Sequence, residues 1–126
     1  MKRILAVAAV VVCVFAFSAQ ASSKSRDLTP EEKAYVEKAV KATLKDPDSA
    51  QFKHTKLVLS DDGVVDPYCG MVNAKNSFGG YSGYSVFFVG ITNNKDGKRV
   101  AIYLGPQEES DTAQQSIIEV CAKQGY

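Results

Sequence analysis

Two cysteines, Cys69 and Cys121, lie 52 positions apart, and a bond between them would fasten the end of the chain to its middle. The third cysteine, Cys13, lies in an N-terminal segment with the features of an export signal. An even pair of cysteines in an exported domain of about 100 residues is typical of a disulfide, because that compartment is oxidising. The weaker alternative is a reactive thiol, since there is no C-x-x-C and His54 is the only conceivable nearby base. We therefore expect a small domain stapled by one disulfide, Cys69–Cys121.

The N-terminal segment has the three parts of a secretory signal peptide, in the usual order. Met1-Lys2-Arg3 is basic, the run from Ile4 to Phe17 is uncharged and apolar, and small residues lead to Ala21. The apolar run is shorter than the roughly 20 residues that cross a bilayer. Val12 is too large for the residue that precedes the acylated cysteine of a bacterial lipoprotein, which argues against Cys13 in that role. We predict cleavage near Ala21 and a periplasmic or secreted protein with no stable membrane span.

Composition argues against several classes of function. The chain has 15 Lys and Arg and 14 Asp and Glu residues, and removal of Lys2 and Arg3 with the signal segment leaves a formal charge of −1. This near-neutral balance gives no electrostatic reason to bind nucleic acid. A single histidine, His54, and two mature cysteines exclude multi-cysteine zinc sites and iron–sulfur clusters. Apart from Glu119 on the last predicted helix, no Asp or Glu lies in an apolar stretch of the sequence, so there is no acid–base signal. We expect no catalytic residues, no metal and no cofactor.

The chain is predicted to divide into a signal peptide at 1–21, a flexible tail at 22–28 and a single domain at 29–126. Within the domain, the run from Tyr84 to Thr92 is apolar on both faces. Such a pattern is typical of a central strand that is covered on both sides. The segment from Asn93 to Gly97 follows it and predicts a hairpin loop.

Helix signals lie at both ends of the predicted domain. Thr29 and Glu32 form a capping box before an amphipathic pattern, and Pro47 is expected to end that helix. A last helix is expected to begin at an N-cap of Ser110 or Asp111. About four mainly antiparallel strands lie between the two helices. The fold class is therefore a small α+β domain with both helices packed on one antiparallel sheet.

The densest mixture of asparagine, lysine, aromatic and glycine residues lies before the predicted central strand. The candidate binding residues there are Asn73, Lys75, Asn76, Phe78, Tyr81 and Tyr84. Amide and ammonium groups beside a glycine-rich turn can donate hydrogen bonds, and aromatic rings supply the rigid contact area found at interface hot spots. The alternative is a purely structural loop, in which glycines bend the chain and asparagines bond its backbone. A phosphate-binding loop is excluded, because a strand and not a helix follows Gly83.

Two blocks of sequence carry a resemblance. They are the run from Leu44 to Phe52, of pattern LKDPxSAxF, and the run from Cys69 to Gly83, of pattern CGxVNxKNSFGGYxG. Together these blocks resemble a group of small uncharacterised exported or phage-related bacterial proteins. The resemblance covers about 25 residues and implies a shared domain. It implies no reaction, because no activity is assigned to that group.

These features predict an exported, non-enzymatic protein that binds another macromolecule, such as an inhibitor, an immunity protein or an envelope accessory protein. The partner is expected to be an unknown protein or another envelope component. One alternative is a structural component of a surface or phage-derived assembly, which would have an exposed apolar patch and self-associate. A further alternative is a small hydrolase or small-molecule binder, which would have a concave pocket lined by titratable groups with shifted pKa values.

Overall fold

A computed structural model describes residues 24–107 and 110–126, so the predicted signal peptide and the first two residues of the predicted tail lie outside the described residues. The elements in chain order are β1 (Ser25–Arg26), α1 (Pro30–Lys41), a 3-10 turn (Pro47–Ser49), β2 (Gln51–Lys53), β3 (Leu57–Val58), β4 (Asp66–Asn73), β5 (Ser85–Asn93), β6 (Arg99–Tyr103) and α2 (Asp111–Lys123). A four-stranded antiparallel sheet has the order β2-β4-β5-β6, and β1 pairs with β3 in a separate antiparallel sheet. The α+β class, the antiparallel sheet and the disulfide are confirmed.

Helix α1 begins at the predicted capping box. The Thr29 hydroxyl accepts a bond from the Glu32 amide at 3.1 Å, and Glu32 Oε1 accepts one from the Thr29 amide at 3.0 Å. The helix ends at Lys41, several residues before the predicted end at Pro47. The cause is local, because the amides of Thr43 and Leu44 bond carbonyls three residues back and tighten the chain into a turn.

The predicted flexible tail is corrected for its described part, residues 24–28. Ser25 and Arg26 pair with β3, so this part of the segment is a strand. Leu28 is buried in the core, and the Arg26 guanidinium binds the carboxylate of Glu32. These contacts could not be predicted from the segment itself, because each depends on a residue outside it.

The two helices lie on opposite faces of the main sheet. Side chains alternate along β5, and its two faces contribute to two separate core clusters. Strand β5 is therefore covered on both sides, as predicted. The cluster on the α1 side contains Leu28, Val36, Val40, Leu57, Tyr68, Val72, Phe87, Val89 and Ile91. The cluster on the α2 side contains Cys69, Ile117 and Cys121, with Val86 and Phe88 packed against them.

Two contacts fasten α2 and the C-terminus to the sheet. The predicted disulfide joins Cys69 of β4 to Cys121 of α2, with their Cα atoms 6.0 Å apart. The hydroxyl of Tyr126 donates to the Pro67 carbonyl at 2.8 Å and accepts from the Val58 amide at 3.0 Å. These contacts hold the last helix against the middle of the chain. Within the described part of the chain, no helix has the length and apolar character needed to span a membrane.

Candidate functional site

Five of the six candidate residues lie on the connection between β4 and β5, which extends the hairpin beyond the sheet, and Asn73 is the last residue of β4. Lys75 and Tyr81 form a single antiparallel bridge, and the Asn76 amide donates to the Gly80 carbonyl at 2.8 Å. The Asn76 side chain organises the tip, because its Oδ1 accepts from the amides of Phe78 at 2.9 Å and Gly80 at 3.2 Å. The tip is therefore held by its own hydrogen bonds.

Phe78 is displayed at this tip. Its side chain is 97% exposed, the highest exposure among the exposed large apolar side chains of the described residues. The next residue, Gly79, has φ of +79°, a left-handed conformation that favours glycine. The turn thus presents a large apolar ring to solvent on a defined backbone.

The base of the loop is fixed to the 3-10 turn. The Lys75 amide donates to the Ser49 hydroxyl at 2.8 Å, and the Tyr81 hydroxyl donates to the Ser49 carbonyl at 3.1 Å. Strand β2 then pairs with β4, with Gln51 opposite Asn73. The two blocks that carry the sequence resemblance therefore contact each other, and one braces the other.

Two lysines lie over exposed tyrosine rings beside the loop. The Lys53 ammonium is 4.1 Å from the centroid of the Tyr84 ring, and the Lys75 ammonium is 5.8 Å from that of Tyr81. Contacts of this kind are attractive and orient both side chains. They place a positive charge over each of the two exposed tyrosine rings.

The structure places all six predicted residues on this loop and its flanks but gives them different roles. Asn73 and Asn76 bond the loop backbone, and the Gly83 amide donates to Asn73 Oδ1 at 3.2 Å. This part of the loop follows the structural alternative. The other four residues, which we call the loop surface, have partly or fully exposed side chains: Lys75, Phe78, Tyr81 and Tyr84.

A buried ion cluster lies away from the loop, and the sequence reasoning missed it. Glu32 is 1% exposed and accepts from Arg26 at 2.6 and 3.0 Å and from Arg99 at 3.2 Å. Arg99 also donates to Asp66 at 2.7 Å. The hydrogen bonds from Arg26 lower the pKa of Glu32 to about 2, against the opposing effect of burial. Every charge is paired, so this cluster holds α1, β1, β4 and β6 together.

One signal for this cluster was present in the sequence. Glu32, Val36 and Val40 recur every four residues and so lie on the same face of α1. The face that carries the two valines is the buried one, which places Glu32 at the edge of the core. No comparable pattern in the sequence indicated that Arg26 and Arg99 bind this carboxylate.

His54 belongs to a second polar chain. Its Nε2 lies 3.0 Å from Glu37 Oε1, and its Nδ1 lies 2.8 Å from the hydroxyl of Tyr68. That hydroxyl also accepts from the Thr55 amide at 3.0 Å. Tyr68 is fully buried, and burial raises its pKa. The order of groups resembles an acid–base relay, but it ends on a phenol that no substrate can reach, so we interpret it as structural.

A groove lies at the end of the main sheet, below the loop. It contains two adjoining cavities of about 320 and 600 Å³, between the end of α1, the start of β5 and the start of α2. None of the groups with a shifted pKa among the described residues lines it. Across residues 24–107 and 110–126, no three His, Cys, Asp or Glu residues form a group able to hold a metal ion. Both cavities are lined by Thr43, Leu44, Val72, Ser82, Gly83 and Ser85.

No protein-family model, curated protein or solved structure matches this chain. Its function is therefore argued from its own geometry.

Proposed function

We propose that this is an exported, non-enzymatic protein that binds another protein of the cell envelope through the loop surface. The roles that fit are those of an inhibitor, an immunity protein or an envelope accessory protein, in the periplasm or outside the cell. The observation that carries the proposal is the position of Phe78, which is 97% exposed on a loop whose backbone is hydrogen-bonded and braced.

The energetics of such a contact are favourable. Burial of an exposed phenylalanine side chain contributes about 1.5 to 3 kcal/mol. Because Asn76 and Ser49 already hold the backbone, little conformational entropy remains to be lost on binding. Lys75 and Tyr81 beside the ring add polar contacts at its rim. A partner would therefore offer an apolar pocket for Phe78 with acceptor groups around it.

A second candidate function has its own observation. An apolar patch surrounds Gly90 of β5, where Ile102 and Leu104 are 55% and 49% exposed and Val64 and Val65 are also exposed. Ile102 pairs with Gly90 in register, and the Val65 and Leu104 side chains approach the same glycine. An exposed patch of this kind favours self-association or a place in a larger assembly. This patch would then be the contact between copies.

One capture experiment compares the two candidates. The chain from Ser22 to Tyr126 is immobilised and exposed to envelope extract, beside the variants Phe78→Ala and Ile102→Ala. Both side chains are exposed, so each change is expected to alter stability by less than about 0.5 kcal/mol. The two variants therefore serve as matched controls for each other.

If the proposed function is correct, wild type and Ile102→Ala capture a partner protein that Phe78→Ala does not. Equal retention by Phe78→Ala would move the interface away from the loop surface. Capture of further copies of this chain, lost in Ile102→Ala alone, would instead support the assembly function.

A further inference from the structure

The edge of β5 that faces β6 changes its partner part-way along. The Leu104 amide donates to the Phe88 carbonyl at 3.0 Å, so the ladder continues to that pair. In the same register the next pair would be Val86 and Pro106. Proline has no amide hydrogen and cannot donate to the Val86 carbonyl. The ladder therefore stops, and among the described residues no strand pairs with the first residues of β5 on this edge.

A side chain takes the place of the missing strand. Gln114 of α2 accepts from the Val86 amide at 2.7 Å through Oε1, and it donates to the Val86 carbonyl at 3.1 Å through Nε2. These are the two bonds that a residue of a paired antiparallel strand would make. One carboxamide thus occupies a site shaped for polypeptide backbone. Unlike a strand, a single side chain can leave this site by rotation about its own torsion angles.

This edge faces the groove, so an extended chain has room to reach it. Tyr84, Ser85 and Val86 line the first cavity, as does Gln114. Leu44, in the turn that follows α1, and Ile117 of α2 form part of the walls and provide apolar contact for alternate side chains of a bound strand.

The charge at one end of the groove indicates what kind of strand would fit. Lys75 and Lys45 line the second cavity, whereas Asp111 is the one charged residue among those that line the first. The positive charge therefore lies at the end of the groove nearer the loop. Neither lysine forms an ion pair with another described residue. Two such ammonium groups would attract a carboxylate at that end of a bound segment.

The geometry points to a peptide-binding site in this groove: an extended acidic segment of a partner protein pairs with β5 at Val86 in place of the Gln114 carboxamide. Addition of a strand to an exposed sheet edge is a common mode of peptide recognition. The site goes beyond the proposed function: it shares Lys75 and Tyr84 with the loop surface, but Phe78, which carries the proposed function, takes no part in it.

The test uses the isotope-labelled chain from Ser22 to Tyr126 and two synthetic peptides, followed by amide chemical shifts. The first is a capped peptide of alternating valine and threonine with a glutamate at each end, and the second has lysine at each end. We expect the glutamate peptide to shift the amides of Tyr84 and Val86 and the side-chain amide of Gln114. The lysine peptide is expected to bind at least several-fold more weakly.

Two variants test the parts of the argument separately. Gln114→Ala removes the internal competitor, so it is expected to bind the glutamate peptide about tenfold more tightly, the effect of one or two hydrogen bonds. The double variant Lys45→Glu with Lys75→Glu keeps Gln114 and should bind the lysine peptide more tightly than the glutamate peptide. Because this double variant keeps Gln114, it tests the site even if Gln114→Ala does not fold. Lys75 also belongs to the loop surface, so Lys45→Glu alone is the matched control and should weaken binding of the glutamate peptide in the same direction.

Several results would overturn the inference. They are equal affinity of wild type and a folded Gln114→Ala, an unchanged preference after charge reversal, or no shift with either peptide at millimolar concentration. Shifts confined to Phe78 would place the peptide on the loop surface instead. Shifts at Val86 that depend on protein concentration without peptide would make a second copy the occupant.

Discussion

Replacement of Glu32 by Gln tests the buried ion cluster. The carboxylate is 1% exposed and accepts hydrogen bonds from two arginines, Arg26 and Arg99. Glutamine keeps an acceptor for the Thr29 amide but removes the charge, which leaves Arg26 without its buried partner. Removal of one partner of a fully buried ion pair costs about 3 to 5 kcal/mol, and we expect the lower end of this range because the Arg26 side chain is 39% exposed. This is a large part of the roughly 5 to 15 kcal/mol that stabilises a domain.

The same group makes stability depend on pH in a known direction. Its pKa falls from 4.5 to about 2 in the folded chain, mainly because Arg26 donates to it. A lowered carboxyl pKa stabilises the folded state above the unfolded pKa, and that contribution disappears as the pH falls through the folded pKa. The difference corresponds to about 3 kcal/mol, since one pKa unit is about 1.4 kcal/mol. We expect wild type to lose this amount between about pH 5 and about pH 2.

Urea denaturation across this pH range measures the effect. Glu32→Gln is expected to unfold at lower urea concentration at neutral pH and to lose about 3 kcal/mol less than wild type on acidification. Glu31→Gln is the matched control, because Glu31 lies in the same helical turn with an exposed side chain. It should follow wild type at every pH. A full wild-type acid loss in Glu32→Gln would refute the reasoning and assign the titration to another group, such as Asp66.

Two further predictions concern the disulfide and the packing of the core. Replacement of both Cys69 and Cys121 by serine opens a loop of 52 residues, so the free energy of unfolding should fall by about 4 kcal/mol on the chain-entropy estimate. Urea denaturation of this variant, and of wild type with and without reductant, measures the loss, and an unchanged midpoint would contradict the prediction. Gly70→Ala should lower the free energy of unfolding by about 1 to 3 kcal/mol, because the added Cβ would lie 2.6 Å from the ring of buried Phe87. Gly80→Ala, where no atom lies within 4 Å of the added Cβ, is the control and should unfold like wild type.

Local features of the fold were readable from the sequence. The capping box at Thr29, the N-cap at Ser110 and the two-sided strand β5 each depend on residues within a few positions of one another. The disulfide needed only the compartment and the parity of the cysteines. The six candidate residues were likewise found from composition, because loops rich in glycine, asparagine and tyrosine are distinctive over a short window.

Features that depend on distant residues were not readable. Arg99 lies 67 positions from Glu32, and no local pattern links them. Ser49 lies 26 positions before Lys75, so the brace beneath the loop could not be predicted either. The same limit applies to the asparagines of the loop, since Asn76 is structural only because the turn directs two amides at its side chain. Residue type singled out the six candidate residues, and conformation separates the two asparagines that bond the loop backbone from the four exposed side chains.

The loop surface and the groove lie at the same end of the main sheet but depend on different supports. Ser49 braces the loop from the 3-10 turn, whereas Gln114 holds the strand edge from α2. Helix α2 is in turn fastened to β4 by the disulfide at Cys121. Truncation of Phe78 touches neither support, because its ring is almost wholly exposed and only its amide bonds Asn76. A loss of binding in Phe78→Ala therefore reports on the loop surface alone, and a change in peptide affinity in Gln114→Ala reports on the groove.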